Sequence, residues 1–152
     1  MASIPRASKV DAGTVELVRT LGVEIISSSD LLQYATLRWN EIQLHSHMRS
    51  AQALGQIALD AFKYVGEYLG HRPTEYEVAE LIRRRFSEYG LVASDGPIVA
   101  TNEHCSDPHY QPQPNNSSII RKGDWLLIDL WARENTEASV YADITWVGYV
   151  GR

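Results

Sequence analysis

The chain has 152 residues, which is enough for one domain of ordinary size with its own hydrophobic core. Its 44% apolar and 22% charged residues and its formal net charge of −5 are typical of a globular protein, and they exclude a strongly basic nucleic-acid-binding chain. No apolar run approaches the roughly 18 residues of a transmembrane helix. The first residues, MASIPRASKVDAG, lack the apolar centre of a signal peptide.

The cysteine content and the one cluster of positive charge indicate which compartment and which partners to expect. Cys105 is the single cysteine, so no disulfide can form within the chain and a reducing compartment is expected. The triplet Arg83-Arg84-Arg85 lies in an amphipathic helical pattern, which predicts a solvated face. We therefore expect a cytoplasmic protein with neither a nucleic acid nor a membrane as its partner.

The N-terminal segment predicts one helix and one strand. A short helix closed by Gly22 is followed by an apolar run from Val23 to Ile26, which predicts a strand. Since a lone helix–strand pair cannot bury both of its faces, we expect this segment to be the end of an α/β domain that precedes the chain.

Two helical stretches follow. A stretch from about Asp30 to Leu69 is longer than a typical globular helix, so a break near Trp39 and Asn40 is expected. Its apolar positions recur at spacings of three and four: Met48, Ala51, Leu54, Ala58, Ala61, Phe62, Val65 and Leu69. In the second stretch Thr74 and Glu77 predict a capping box and Gly90 the end of the helix. Its predicted buried face is Tyr76, Val78, Leu81, Ile82 and Phe86.

The remainder of the chain has β character. A short strand at PIVAT leads into a loop rich in Pro, Asn and Ser, and two strands at residues 125–132 and 140–150 predict a long hairpin. Helices that precede antiparallel strands indicate an α+β fold in which helices pack on an antiparallel sheet.

Each hairpin strand carries one aspartate, Asp129 and Asp143, between apolar residues. A hairpin tip centred on Thr136 would place the two carboxylates directly opposite each other on one face, where like charges are destabilising. A shared proton, a basic partner or a bound cation would relieve the repulsion. Arg133 belongs at the tip, which favours a divalent cation. Alternatively, one aspartate faces solvent or a bulge separates the pair.

The loop before the hairpin holds His104, Cys105, Asp107 and His109 within six positions. A self-contained zinc cluster is one interpretation, although the paired ligand spacing of structural zinc sites is absent. The other interpretations are a solvated loop and a site that His109 forms together with the hairpin. His45 and His47 lie two positions apart on a helix and are expected at the surface.

Four segments in this order carry a resemblance: TEYEVAELIRRRFSEYG, NEHCSDPHYQP, IIRKGDWLLIDLWA and YADITW. Together they resemble the pita-bread metallopeptidases, which include methionine aminopeptidase, aminopeptidase P, prolidase and the metal-free creatinase. The N-terminal segment resembles the end of a creatinase-type domain, which favours the aminopeptidase P and prolidase branch. The resemblance implies a partial pita-bread fold truncated at the C-terminus, with residues 1–28 as the domain end and linker and residues 29–152 as the N-terminal half of the catalytic domain.

The resemblance also implies a site. Asp129 and Asp143 match two ligands of a two-metal centre, and His109 matches the histidine that contacts substrate and assists proton movement. Two divalent ions, with Mn²⁺ expected and Co²⁺ or Zn²⁺ as alternatives, would activate a water for attack on a scissile carbonyl. The implied substrates are short peptides, commonly of Xaa-Pro type, and the full-length protein could form a homodimer.

Three departures from the family pattern bear on function. The aspartates are 14 positions apart, a wider gap than in the family, because RENTEAS lengthens the tip. Trp131 and Trp146 replace family residues and are expected to reshape the substrate pocket. The family's further histidine and two glutamate ligands would follow Arg152, so we expect negligible peptidase activity from these 152 residues alone. The main alternative is a catalytically dead peptidase-like domain that binds peptides or proteins; a creatinase-like metal-independent hydrolase is a third.

Overall fold

The computed structural model describes residues 10–151, and the chain divides into two compact units, Met1–Asn40 and Glu41–Arg152. The predicted absence of a signal peptide concerns mainly residues 1–9, which lie outside the described residues. In the first unit, α1 (Ala12–Thr20) begins at Asp11, whose carboxylate accepts from the Thr14 backbone N–H at 3.0 Å. Gly22 follows α1 with φ of 76°, as its predicted closing role requires.

The predicted strand from Val23 to Ile26 is wrong. Residues 23–28 have no regular secondary structure, and α2 (Ser29–Thr36) follows them. Within residues 10–40 the structure forms no strand, so a run at 23–26 has no ladder partner inside its own unit.

Two long helices open the second unit. The predicted break near Trp39 and Asn40 is confirmed, since α3 (Glu41–Tyr68) starts just after it and ends in a 3-10 turn, Leu69–His71. The capping box of α4 (Glu75–Glu88) is present as predicted, with Thr74 and Glu77 each accepting a backbone N–H of the other.

Four antiparallel strands complete the unit: β1 (Leu91–Val92), β2 (Ile98–Thr101), β3 (Trp125–Glu134) and β4 (Ala142–Tyr149). The long strand β3 is central, because β1 and β2 pair with successive parts of one of its edges and β4 pairs with the other. Helices packed on an antiparallel sheet confirm the predicted α+β fold.

The core lies between α3, α4 and one face of this sheet. Its fully buried members include Leu54, Ile57, Val78, Ile82, Leu126, Ile128 and Leu130. The predicted stripe of α3 is correct at Leu54, Ala58, Ala61 and Val65, but wrong at Met48, which is 57% exposed. On α4 the predicted buried face holds except at Tyr76, which is half-buried. Arg83 and Arg85 pair with acidic neighbours, and Arg84 is exposed, as expected of a solvated face.

Candidate functional site

The alternation of side chains along β3 decides which residues can form a site. Leu126, Ile128, Leu130 and Ala132 are buried against the helices, so the residues between them point to the opposite face. Asp129 is one of these. We call this the open face of the sheet; its members on β3 next to Asp129 are Leu127 and Trp131.

The pairing of β3 with β4 differs from the predicted register. Asp129 lies opposite Thr145, and Asp143 lies opposite Trp131. The two aspartates are therefore diagonal neighbours, and the prediction that they face each other directly is wrong. Since the difference amounts to two positions along β4, both carboxylates still project from the open face. Diagonal Cβ atoms are about 7–8 Å apart, compared with about 5 Å for a direct pair.

The hairpin tip explains this register. The Arg133 guanidinium donates to the Thr136 carbonyl and to Ser139 Oγ, each at 2.8 Å. Ser139 Oγ in turn donates to the Glu134 carbonyl at 2.6 Å. These contacts hold residues 135–141 as a compact turn, and β4 begins at Ala142 instead of Val140.

The repulsion between the two carboxylates is weaker than it would be in a buried, directly opposed pair. Asp129 is half-buried and accepts from Thr145 Oγ1 at 2.6 Å, whereas Asp143 is exposed, so the expectation of two buried carboxylates is wrong. Partial desolvation and the charge of Asp129 both raise the pKa of Asp143. Desolvation is the larger cause, and the negative charge of Asp129 on the adjacent strand is the second.

A cleft of about 370 Å³ opens beside Asp129. Its floor includes Ile98 and Leu127, and the segment 104–108 forms one wall. Asp129 and Thr145 line this cleft, but Asp143 and His109 do not. His109 is exposed, and its backbone N–H donates to Asp107 Oδ1 at 2.9 Å.

The loop does not form the zinc cluster that was one interpretation of its sequence. Among the described residues, no three His, Cys, Asp or Glu side chains come together in an arrangement that could hold a metal ion. Cys105 Sγ contacts the Ala100 carbonyl at 3.3 Å instead, and burial raises the pKa of its thiol. His45 is exposed as predicted, while His47 is half-buried with Nδ1 2.8 Å from the Tyr141 carbonyl.

Glu75, the first residue of α4, is a feature that the sequence reasoning missed. Its carboxylate is fully buried and accepts from the Thr101 backbone N–H at 2.6 Å, Tyr110 Oη at 2.6 Å and the Ser118 backbone N–H at 2.7 Å. Burial acts to raise the pKa of Glu75, but these hydrogen bonds outweigh it and the pKa lies below its ordinary value. A Glu at the first turn of a helix fits the helix dipole, which was the one signal in the sequence.

His104 completes this buried group. Its Nδ1 lies 3.0 Å and 3.1 Å from the two Glu75 oxygens, and its ring stacks on Tyr110 with a centroid distance of 4.3 Å. His104 also lines the cleft beside Asp129. The structure thus connects the buried carboxylate to the cleft through one imidazole ring.

The two tryptophans that depart from the family pattern lie on different faces. Trp131 is half-buried on the open face, where it packs with Ile98, Ala100 and Tyr110. Trp146 lies opposite Ile128 and therefore on the helix side of the sheet. The expectation that both reshape the pocket is wrong for Trp146.

The carboxylates of Asp129 and Asp143 are candidate donors for a divalent metal ion. Two carboxylates that interact across adjacent strands suit a hard or borderline cation, which would relieve their repulsion. The described residues offer two oxygen donors, Asp129 and Asp143, on one face of the sheet, and no third His, Cys, Asp or Glu side chain joins them among these residues.

Solved structures share the fold of this chain. The prolidase from Thermococcus sibiricus superposes with a TM-score of 0.66 at 21% identity, covering 95% of this chain and 38% of its own. The prolidase from Pyrococcus furiosus gives 0.65 at 20% identity, covering 95% and 40%. The X-prolyl aminopeptidase from Caenorhabditis elegans, described as a cytosolic enzyme with a di-nuclear active site, gives 0.60 at 23% identity, covering 80% and 20%.

These likenesses show that the chain has part of the pita-bread fold, and it spans about 40% of the length of the solved prolidases. Residues 46–152 match the sequence profile of metallopeptidase family M24. The chain belongs to this family. No curated protein sequence matches it significantly. In the part of the chain that the structure describes, no helix is both long and apolar enough to cross a membrane.

Proposed function

We propose that residues 29–152 correspond to the N-terminal half of the catalytic domain of a dinuclear-metal peptidase, and residues 1–28 to the end of a preceding domain. Asp129 and Asp143 are the proposed metal ligands. The observation that supports this most is their common position on the open face of the sheet, in a chain that belongs to a metallopeptidase family. His109 is the proposed substrate-contacting histidine, by match to the family motif alone.

Divalent ions bound there would supply an activated water for attack on a peptide carbonyl. The residues of the chain would hold the ions and contact the substrate. Thr145 orients the Asp129 carboxylate through its 2.6 Å hydrogen bond, and Asp143 adds a second oxygen ligand from the adjacent strand. The apolar floor of the cleft, with Ile98 and Leu127, accommodates a substrate side chain next to these oxygens.

The proposed substrates are short peptides of Xaa-Pro type, and the proposed metal is Mn²⁺, with Co²⁺ or Zn²⁺ as alternatives. The similar structures include prolidases and an X-prolyl aminopeptidase, which supports the substrate class. Trp131 supports it less directly, because its ring adds apolar surface on the open face where a proline ring could pack.

Metal binding by the purified chain tests the proposal. We expect calorimetry to detect weak binding of Mn²⁺ by the wild type and its loss in both Asp129→Asn and Asp143→Asn, since each removes one of two charged ligands. Asp95→Asn, in the exposed segment between β1 and β2, is the matched control and should bind as the wild type does. Equal binding by all four proteins would contradict the assignment of the ligands.

Peptide cleavage provides a separate test. Two carboxylates do not hold two metals tightly, so we propose that this chain alone cleaves Xaa-Pro dipeptides negligibly, even with Mn²⁺ present. Cleavage that a chelator abolishes would contradict that part of the proposal.

A second candidate function is a peptide-binding module without catalysis. The observation that favours it is that Asp143 and His109 do not line the cleft beside Asp129. This candidate predicts peptide binding that neither Mn²⁺ nor the Asp143→Asn substitution changes. The peptidase proposal predicts that Mn²⁺ strengthens peptide binding and that the substitution removes this effect.

A further inference from the structure

The imidazole ring of His104 has a fixed orientation. The Glu75 carboxylate, which carries no proton of its own when ionised, can only accept hydrogen bonds. Since His104 Nδ1 lies 3.0 Å and 3.1 Å from its two oxygens, Nδ1 must carry the hydrogen of that contact. In the neutral ring, Nε2 is then left as a hydrogen-bond acceptor.

Two further contacts restrict the ring. His104 stacks on Tyr110, and Tyr110 is itself held by a 2.6 Å hydrogen bond from its hydroxyl to Glu75. Glu75 is fully buried and also accepts from Thr101 Oγ1 at 2.7 Å. Because its anchors are buried and mutually bonded, the imidazole is held in one orientation without any ligand present.

The ring is nevertheless accessible. The His104 side chain is 28% exposed, and it lines the cleft that also contains Asp129. Ile98, Ala100 and Leu127 supply apolar surface in the same cleft, and His104 is one of its polar groups. Of the described residues that line the cleft, two are aspartates and none is Lys or Arg, which favours a ligand group that donates N–H bonds and carries positive charge.

We propose that His104 is a substrate-contacting residue, whose Nε2 accepts a hydrogen bond from the free N-terminal amino group of the bound peptide, and that Glu75 is its positioning residue. The inference rests on the proposed function, because it takes the cleft beside Asp129 as the peptide site. It adds a residue outside the two aspartates and His109 and gives the cleft a preference for an unblocked N-terminus.

Nuclear magnetic resonance of the metal-free chain labelled with ¹⁵N tests the proposal. Two-bond proton–nitrogen spectra of the imidazole report which nitrogen carries the hydrogen, and we expect the Nδ1–H form for His104. The dipeptide Ala-Pro is the probe because its only N–H group is the terminal amine. We expect Ala-Pro to shift the Nε2 signal of His104 and the backbone amide signals of Asp129 and Thr145. N-acetyl-Pro, an acetylated analogue with no N–H group, should leave Nε2 unchanged.

Two variants separate binding from folding. We expect His104→Gln to weaken Ala-Pro binding about fivefold to tenfold, the effect of losing one hydrogen bond. His45→Gln, which changes an exposed histidine of α3, should bind as the wild type does. Urea unfolding of both variants shows whether His104 acts on stability alone: a stability loss with unchanged affinity would overturn the proposal.

The outcomes distinguish this inference from the function on which it rests. Ala-Pro shifts at Asp129 and Thr145 with no change at His104 would overturn the role of His104 and leave the peptide site in place. An Nε2–H form of the ring, or an equal response to the acetylated analogue, would also overturn the inference alone. No Ala-Pro shift at any of these three residues would overturn the proposed peptide site itself.

Discussion

At the scale of single residues, the buried carboxylate of Glu75 joins parts of the chain that are far apart in sequence. Its partners Thr101, Tyr110 and Ser118 lie 26, 35 and 43 positions away. A buried charge with this many donors stabilises the fold only as long as all donors keep their acceptor. Glu75 therefore fixes the start of α4, the end of β2 and the loop beside the cleft together.

Glu75→Gln should lower the free energy of unfolding by about 2–4 kcal/mol, because the amide leaves buried donors without an acceptor. Chemical denaturation in urea at pH 7 measures this. Glu88→Gln, at the exposed end of the same helix, is the control and should change the stability by about 0.5 kcal/mol or less. Equal effects of the two substitutions would contradict the buried role of Glu75.

The stability difference between the wild type and Glu75→Gln depends on pH with a definite sign. The pKa of Glu75 in the folded state lies below its ordinary value of 4.5. Its contribution to stability is therefore complete above about pH 4.5 and is lost as the pH falls through the folded-state pKa. We expect the stability difference between wild type and Glu75→Gln to be constant from pH 7 to 5 and to shrink below pH 4.5. A difference that grows on acidification would contradict the lowered pKa.

The interaction between Asp129 and Asp143 can be measured directly. Desolvation and the charge of Asp129 raise the pKa of Asp143 above 3.8, so Asp129→Asn should lower it part of the way back. A carbon-detected pH titration of the side-chain carboxyl groups follows this. Asp95→Asn, in the exposed segment between β1 and β2, is the control and should leave the pKa of Asp143 unchanged. No response to either substitution would show that the two aspartates do not interact.

At the scale of elements, α3 supports the sheet through one apolar stripe. Leu54 is completely buried against the sheet side, whereas Leu59 on the same helix is 52% exposed. The two positions differ in burial but not in residue type or helix, which isolates the contribution of the core.

Leu54→Ala should therefore cost about 2–5 kcal/mol of unfolding free energy, through lost transfer energy and the cavity left behind. Leu59→Ala should cost about 1 kcal/mol or less, because Ala also has a high helix propensity. Urea denaturation midpoints of the two variants provide the comparison. Similar losses would mean that α3 packs with a different face from the one described.

The elements could largely be predicted from the sequence because they depend on local patterns. The period of the apolar stripe, the capping box at Thr74 and the alternation in β3 are each readable within a few residues. The register of the hairpin could not be predicted, since it follows from contacts of Arg133 and Ser139 within the tip. The hydrogen-bonded group around Glu75 could not be predicted either, because no sequence pattern connects Glu75 with its distant partners. The failed strand at residues 23–26 shows the same limit: a β-prone run without a neighbour does not form a strand.

At the scale of the whole molecule, the chain corresponds to part of the fold of its structural neighbours. The chain spans about 40% of the length of solved prolidases of the same fold, and the described residues supply two carboxylates on one sheet face. Family and fold were predictable from four ordered segments because the segments coincide with α4, the loop, β3 and β4. The identity of the metal and the preference for proline depend on contacts beyond these elements, and stay predictions.

We propose that the open face of the sheet binds a divalent cation between Asp129 and Asp143. Paramagnetic broadening of backbone amide signals by substoichiometric Mn²⁺ tests it most directly, because the effect falls off steeply with distance from the ion. We predict broadening centred on Asp129, Asp143 and Thr145 in the wild type, and its loss in the Asp129→Asn variant. Broadening centred on another acidic segment, or a pattern unchanged by the substitution, would contradict the claim.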